Sequence, residues 1–251
     1  MTPRPRATPF AIAAVAALAL TACGGDDAPP AASSTTGEVT PSSSATTTEE
    51  LTAPEQQQLT AAQIKRALPT REEAPRGFVQ DTSGFDTRAV SRRRADPQSC
   101  LAVFLDTPQM RTWKSDHFAD GEGVRYTLDS GKDDSAGQPS ISVAVYSYDE
   151  AFPTRFLDEA GAALADCARF RTAVSPGSEM SDWSATNIPT PALGEQSLAV
   201  RAGSPAIDTA IDYLWVRSGH NLVHVRMLTG YRADNSDVLQ EYAEGVLDDL
   251  A

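Results

Sequence analysis

Cysteine, histidine and lysine each occur only three times in 251 residues. No C-x-x-C, H-E-x-x-H, G-x-S-x-G or phosphate-binding glycine loop is present, so the common signatures of metal, nucleophilic and phosphate chemistry are missing. Neither a metal nor a cofactor is expected. Basic charge is short as well, with 21 Lys and Arg against 34 Asp and Glu. A chain this acidic is a poor match for nucleic acid or for anionic lipid headgroups. Long apolar runs are also lacking. The N-terminal one, Phe10 to Leu20, spans 11 residues, where a bilayer-crossing helix needs about 20.

What surrounds that run explains its length. Arg4 and Arg6 precede it, and Leu20-Thr21-Ala22-Cys23-Gly24 follows it. The last five residues resemble the lipobox of bacterial lipoprotein signal peptides. Small residues at 21 and 22 suit the peptidase, and the Cys23 thiol is the nucleophile that takes the lipid. The alternative is an ordinary secretory signal with a chance cysteine. The expected plan is a signal peptide over 1–22, a lipidated Cys23 with a tether over 23–57, and a folded domain over 58–251. The tether is rich in Ala, Pro, Ser and Thr and buries too little to offset its ordering entropy. The expected location is the extracytoplasmic face of the cell membrane, reached through a diacylglycerol and palmitate anchor on Cys23.

With Cys23 assigned to lipid, Cys100 and Cys167 remain as an even set in an oxidising compartment. A Cys100–Cys167 disulfide is expected, the alternative being two buried free thiols. Both positions continue apolar faces. Cys100 aligns with Leu101, Phe104 and Leu105, and Cys167 extends the stripe Phe152, Phe156, Leu157, Ala160, Ala163 and Leu164.

Patterning of the rest predicts an order α-α-β-β-α-β-β-β-β-α. Thr60-Ala-Ala-Gln63 opens a short helix as a capping box, ended by Leu68-Pro69. Asp96-Pro97 reads as an N-cap and first-turn proline before the Cys100 helix. Strands fall near 124–128, 141–146, 182–188, 197–202, 207–216 and 222–228 by alternation. The polar loop 129–138 joins the first two, and Ser218-Gly219-His220-Asn221 turns the last two into a hairpin. Helices run over about 150–166 and over 236–250, the second with Val238, Leu239, Tyr242, Ala243, Val246, Leu247 and Leu250 as its apolar stripe. The fold class is α+β: an antiparallel β-sheet with helices packed mainly on one face, a single domain and one disulfide.

The lipobox, the tether, the helix ending Ala67-Leu68-Pro69, the cysteine helix, the helix Phe152–Cys167 and the late strand–turn–strand Leu214-Trp-Val-Arg-Ser-Gly-His-Asn-Leu-Val-His-Val225 occur in this order before a final amphipathic helix. The combination resembles the extracellular sensor domain of actinobacterial serine/threonine receptor kinases, the PknH-like domain, over roughly residues 58–251. An actinobacterial source also agrees with the excess of Arg over Lys and the abundant Ala. The resemblance implies a sheet-and-helix fold around a cleft for a ligand and no catalysis. That family commonly carries two disulfides, whereas this chain has cysteines for one.

Candidate ligand-binding residues are Trp183, Trp215, His224, Arg226 and Tyr231, since aromatic walls with a few polar groups are typical of binding pockets. The bland reading of each is ordinary core or surface. Asp116, His117, Asp120 and Glu122 form a cluster that lacks the spacing of calcium loops and reads as a solvated turn. Arg92-Arg93-Arg94 is the one basic run and reads as a solvated loop. The leading expectation is a non-catalytic ligand-binding or sensor lipoprotein whose partner is a small molecule, a lipid or a cell-envelope glycan, with no nucleic acid. An assembly lipoprotein that docks another envelope protein is the second reading, and an unrecognised hydrolase the third.

Overall fold

The computed structural model describes residues 51–81, 85–89, 91–131, 138–173 and 177–251. In chain order the elements are α1 Ala61–Ala67, β1 Phe78–Gln80, β2 Ala95–Asp96, a 3-10 helix Gln98–Phe104, α2 Pro108–His117, β3 Phe118–Leu128 and β4 Ser140–Tyr148. They continue as α3 Thr154–Ala163, β5 Phe170–Thr172, β6 Ser181–Asn187, β7 Gln196–Ser204, β8 Thr209–Ser218, β9 Asn221–Thr229 and α4 Ser236–Leu250. The nine strands among the described residues join one antiparallel sheet, ordered β1-β3-β4-β9-β8-β7-β6-β5-β2. The central hairpin β8–β9 pairs from Ala210 with Thr229 to Ser218 with Asn221. Its edges are the three-residue β1 and the two-residue β2, short enough to offer little ladder to another chain.

The sheet is apolar on both faces. Ile211, Tyr213 and Trp215 of β8 enter one core with Phe104, Met110, Phe152, Phe156 and the cysteine pair. Leu214 and Val216, of opposite parity, enter a second core with Ile64 of α1 and Leu239, Ala243 and Val246 of α4. Each fully buried ring or branched side chain there contributes about 1.5–3 kcal/mol. Helices therefore cover both faces, α2 and α3 on one and α1 and α4 on the other, instead of gathering mainly on one. The class stands as expected: α+β, antiparallel, one compact unit within Thr48–Ala251, with Cys100 and Cys167 bonded at an S–S distance of 2.07 Å.

Local signals account for several boundaries. Gln63 N–H donates to the Thr60 hydroxyl while the Gln63 side chain accepts from Thr60 N–H, closing the capping box of α1. Pro97 follows a cis peptide bond and caps a 3-10 helix where an α-helix was expected. Asp120 accepts from the Ala61 amide at 2.7 Å, and His117 faces Asp149 at 2.9 Å, so the acidic cluster of 116–122 is spread over separate contacts. Residues 54–57 are docked, not tether: Asn221 Nδ2 donates to the carbonyls of Glu55 and Gln57, and His220 N–H donates to that of Gln56. The expected signal peptide, the expected lipidation at Cys23 and the expected tether through residue 50 lie outside the described residues, as do residues 132–137 between β3 and β4. Among the described residues, no helix is long and apolar enough to cross a membrane.

Candidate functional site

On the face carrying α2 and α3, the sheet floors a cleft of about 920 Å³. Strand parity builds that floor. Leu222, His224 and Arg226 share one side of β9, Tyr146 and Tyr148 one side of β4, and Tyr213 and Trp215 one side of β8. One wall is α2 with the chain leading into it, presenting Asp106, Arg111 and Lys114. The rest of the wall comes from residues 87–89 with Ser91 and Arg93, and Ser91 and the Arg93 carbonyl bond directly to Asp106 and Arg111. Phe85 lies against Gly123, where any Cβ would meet its ring, and the Thr87 hydroxyl donates to the Gly121 carbonyl at 2.9 Å. Glycine at 123 is what allows this close approach.

The floor is an array of rings. Tyr213 and Trp215 stack with centroids 5.0 Å apart and planes 7° from parallel, and His224 lies 5.9 Å and 5.8 Å from them at 9° and 14°. His224 Nε2 is enclosed and, among the described residues, has no hydrogen-bond partner. Burial holds its imidazole down at about 3, helped by the nearby charges of Arg226 and Lys114, so the ring is neutral at ordinary pH. Burial also pushes the Tyr146 phenol up to about 12 and raises that of Tyr148 well above its usual range. Both stay protonated donors.

The charges differ in how far they are satisfied. Arg111 grips Asp106 with two hydrogen bonds of 2.8 and 2.7 Å, and Ser91 adds a third to the same carboxylate, so this pair is closed upon itself. Lys114 Nζ donates to the Leu105 carbonyl at 2.7 Å, and burial lowers its pKa. The Arg93 guanidinium lies 4.0 Å over the Phe104 ring and donates to the Tyr213 hydroxyl at 3.1 Å. Arg226 has no hydrogen bond or ion pair among the described residues.

Of the five candidates read from the sequence, Trp215, His224 and Arg226 meet on the cleft floor. Trp183 does not. It lies on β6, buried in the core beside Phe170, with its indole donating to Ser181. Tyr231 lies past the end of β9 and covers Gly203. Sequence reasoning missed Arg93, Lys114, Tyr146 and Tyr213. The run Arg92–Arg94 has the composition of a solvated loop, yet Arg93 is half-buried in the wall while Arg92 and Arg94 are exposed. The parity of Tyr146 with Tyr148, and of Tyr213 with Trp215, was a readable signal. No spacing rule links Lys114 to the sheet.

None of the three histidines has a hydroxyl or thiol partner among the described residues. His117 pairs with Asp149, His220 Nδ1 lies 3.0 Å from the Tyr148 carbonyl, and His224 sits in the ring array.

No family model matches the chain, and no curated protein matches it. Its fold is similar to the crystal structure of the extracellular domain of PknH from Mycobacterium tuberculosis, with a TM-score of 0.58 and 14% identity over 78% of this chain and 98% of that one. A protein of uncharacterised role from Mycobacterium smegmatis also aligns, at 10% identity and a TM-score of 0.37, over 71% of this chain and 92% of that one.

Proposed function

We propose that this chain is a lipid-anchored, extracytoplasmic sensor-type lipoprotein whose domain binds a ligand in the cleft and performs no chemistry on it. The observation that carries the reading is the 920 Å³ cleft whose floor brings together Trp215, His224 and Arg226, with the His224 Nε2 left without a hydrogen-bond partner among the described residues. Buried polar atoms are normally paired, and a concave, ring-lined site with a few unspent polar groups is the usual form of a small-molecule site. The likeness of fold to a kinase's extracellular domain agrees with a sensing role, as an argument by analogy. The lipobox at Cys23 supplies the anchor, and the acidic domain suits display away from an anionic surface. A docking surface is less well supported, since the exposed large apolar residues among those described are Val79 on β1 and Ile207 in the β7–β8 turn.

The test is thermal melting of the mature full chain against a panel of small molecules, lipids and envelope glycans. A ligand at a hundred times its Kd adds about 2.7 kcal/mol, a rise of roughly 5–10 °C for a domain of this size. The rise should vanish in Thr112→Trp, which fills the cleft from an exposed rim position. A panel without any shift, or shifts indifferent to Thr112→Trp, would count against the cleft. For the anchor, Cys23→Ser should abolish labelling by an alkynyl palmitate analogue and release the protein from membranes.

A further inference from the structure

We infer, resting on the proposed binding role of the cleft, that its ligand is an organic anion with an apolar or aromatic body, its charged group seated against Arg93, Lys114 and Arg226. The sign of the cleft is opposite to that of the chain. Acidic residues outnumber basic ones by 34 to 21 overall, yet the cleft collects five basic side chains, Arg88, Arg93, Arg111, Lys114 and Arg226, against Asp106 and Asp116. Solubility does not call for this arrangement, because the charge that keeps the domain dispersed is negative.

Pairing within the walls leaves positive charge over. Asp106 is consumed by Arg111, and Asp116 is exposed at the rim. Arg93 and Lys114 bond only neutral oxygens, and Arg226 bonds nothing among the described residues. Like charges gathered in a concave, partly desolvated site repel one another and focus a positive potential. A ligand anion converts that repulsion into charge-assisted hydrogen bonds, the strongest class available. Arg226 and Lys114 also bear on His224, where they add to burial in opposing its protonation.

Size excludes a bare inorganic ion as the full occupant. A space of about 920 Å³ sits at the upper end of the roughly 300–1,000 Å³ typical of organic ligands. Rings supply most of the floor, so the body of the ligand meets apolar edges while its charged group meets the three cations.

A matched pair of probes tests the charge directly. 8-Anilinonaphthalene-1-sulfonate and N-phenyl-1-naphthylamine share an aromatic body, and only the first carries a sulfonate. In fluorescence titrations of the mature full chain, the sulfonate should bind one to one and at least about ten-fold tighter than the neutral amine. Arg226→Gln should remove about ten-fold of that affinity, Arg226→Lys should restore most of it, and the selectivity for the sulfonate over the amine should fall in the first variant and return in the second. Arg226 bonds no described group, so these variants should melt as wild type does. Arg88→Gln, on the exposed rim, is a second charge loss with a smaller fall of about three-fold. Equal binding of both probes, blocked by Thr112→Trp, would overturn the anion and keep the cleft. A folded Arg226→Gln that holds the sulfonate as tightly as wild type would overturn it too. Binding of neither probe would overturn the binding role itself.

Discussion

Arg201 on β7 and Asp212 on β8 stand directly opposite in the ladder and are joined by two hydrogen bonds, Nε to Oδ1 at 2.7 Å and Nη2 to Oδ2 at 2.6 Å. The Asp212 side chain is fully enclosed. Asn235 Nδ2 donates to the same carboxylate at 2.7 Å, and Arg201 Nη2 also donates to the Ala233 carbonyl. The pair thus ties the start of α4 to the middle of the sheet, and α4 in turn covers the core opposite the cleft. Asp212→Ala removes the only carboxylate paired with Arg201 among the described residues, leaving the guanidinium the Tyr231 and Ala233 carbonyls and Asn235 the Thr229 hydroxyl. The expected loss is about 3–5 kcal/mol, a large part of the roughly 5–15 kcal/mol that holds a domain folded. Urea unfolding of the two proteins measures it, and a loss below about 1 kcal/mol would mean that the pair holds nothing.

The disulfide closes a loop whose ends are 67 residues apart, and it joins the 3-10 helix to the chain just after α3 beneath the cleft side of the sheet. Chain entropy puts its contribution at about 4 kcal/mol. Cys100→Ala with Cys167→Ala should lower the unfolding midpoint accordingly while wild type under reducing conditions falls by a similar amount. Equal midpoints with and without reductant would remove the pair from the list of stabilising contacts.

Much of this fold was readable because its longest elements alternate or repeat cleanly. α4 follows its apolar stripe from Ser236 to Leu250, and the β8–β9 hairpin follows its turn. What escaped is short or polar. β1, β2 and β5 have three, two and three residues, too few for alternation to register. α2 has only Met110 fully buried, so it carries no stripe, although Thr107-Pro108 was a legible N-cap and first-turn proline. The two-sided sheet had a signature as well. Tyr213-Leu-Trp-Val216 is apolar at four successive positions, the continuous pattern of a strand covered on both faces. The candidate site was half-legible for a related reason. Trp215, His224 and Arg226 lie on the strongest strands, where parity is plain, whereas Arg93 and Lys114 reach the cleft from segments whose position depends on the whole fold.

Gly219 adopts φ +54° in the β8–β9 turn, and any Cβ there would run into the Gln56 backbone. Composition placed the boundary of the domain at residue 58, but the lead-in through residues 54–57 is held by Asn221, His220 and the Gln56–Glu195 hydrogen bond of 2.6 Å. Gly219→Ala should cost about 1–3 kcal/mol through left-handed strain and displacement of that segment. It should also speed proteolytic cleavage near residue 57. Unchanged melting and cleavage would show that the lead-in is dispensable.

His224 connects the cleft to pH. Its folded pKa of about 3 lies below the roughly 6.5 of an unfolded chain. Between those values the unfolded chain holds the extra proton, so stability rises with pH across the window and falls as pH drops from about 6.5 towards 3. At one proton the slope reaches about 1.4 kcal/mol per pH unit, which makes about 2 kcal/mol between pH 7 and pH 5. His224→Asn, which cannot titrate, should lose correspondingly less over the same interval in paired denaturant curves. Identical losses in the two proteins would place His224 outside the acid response and weaken the case that its ring is enclosed. An anion bound beside Lys114 and Arg226 should act in the opposite sense, favouring the protonated ring. Saturating 8-anilinonaphthalene-1-sulfonate should therefore raise the pKa of His224, as followed by NMR of the imidazole.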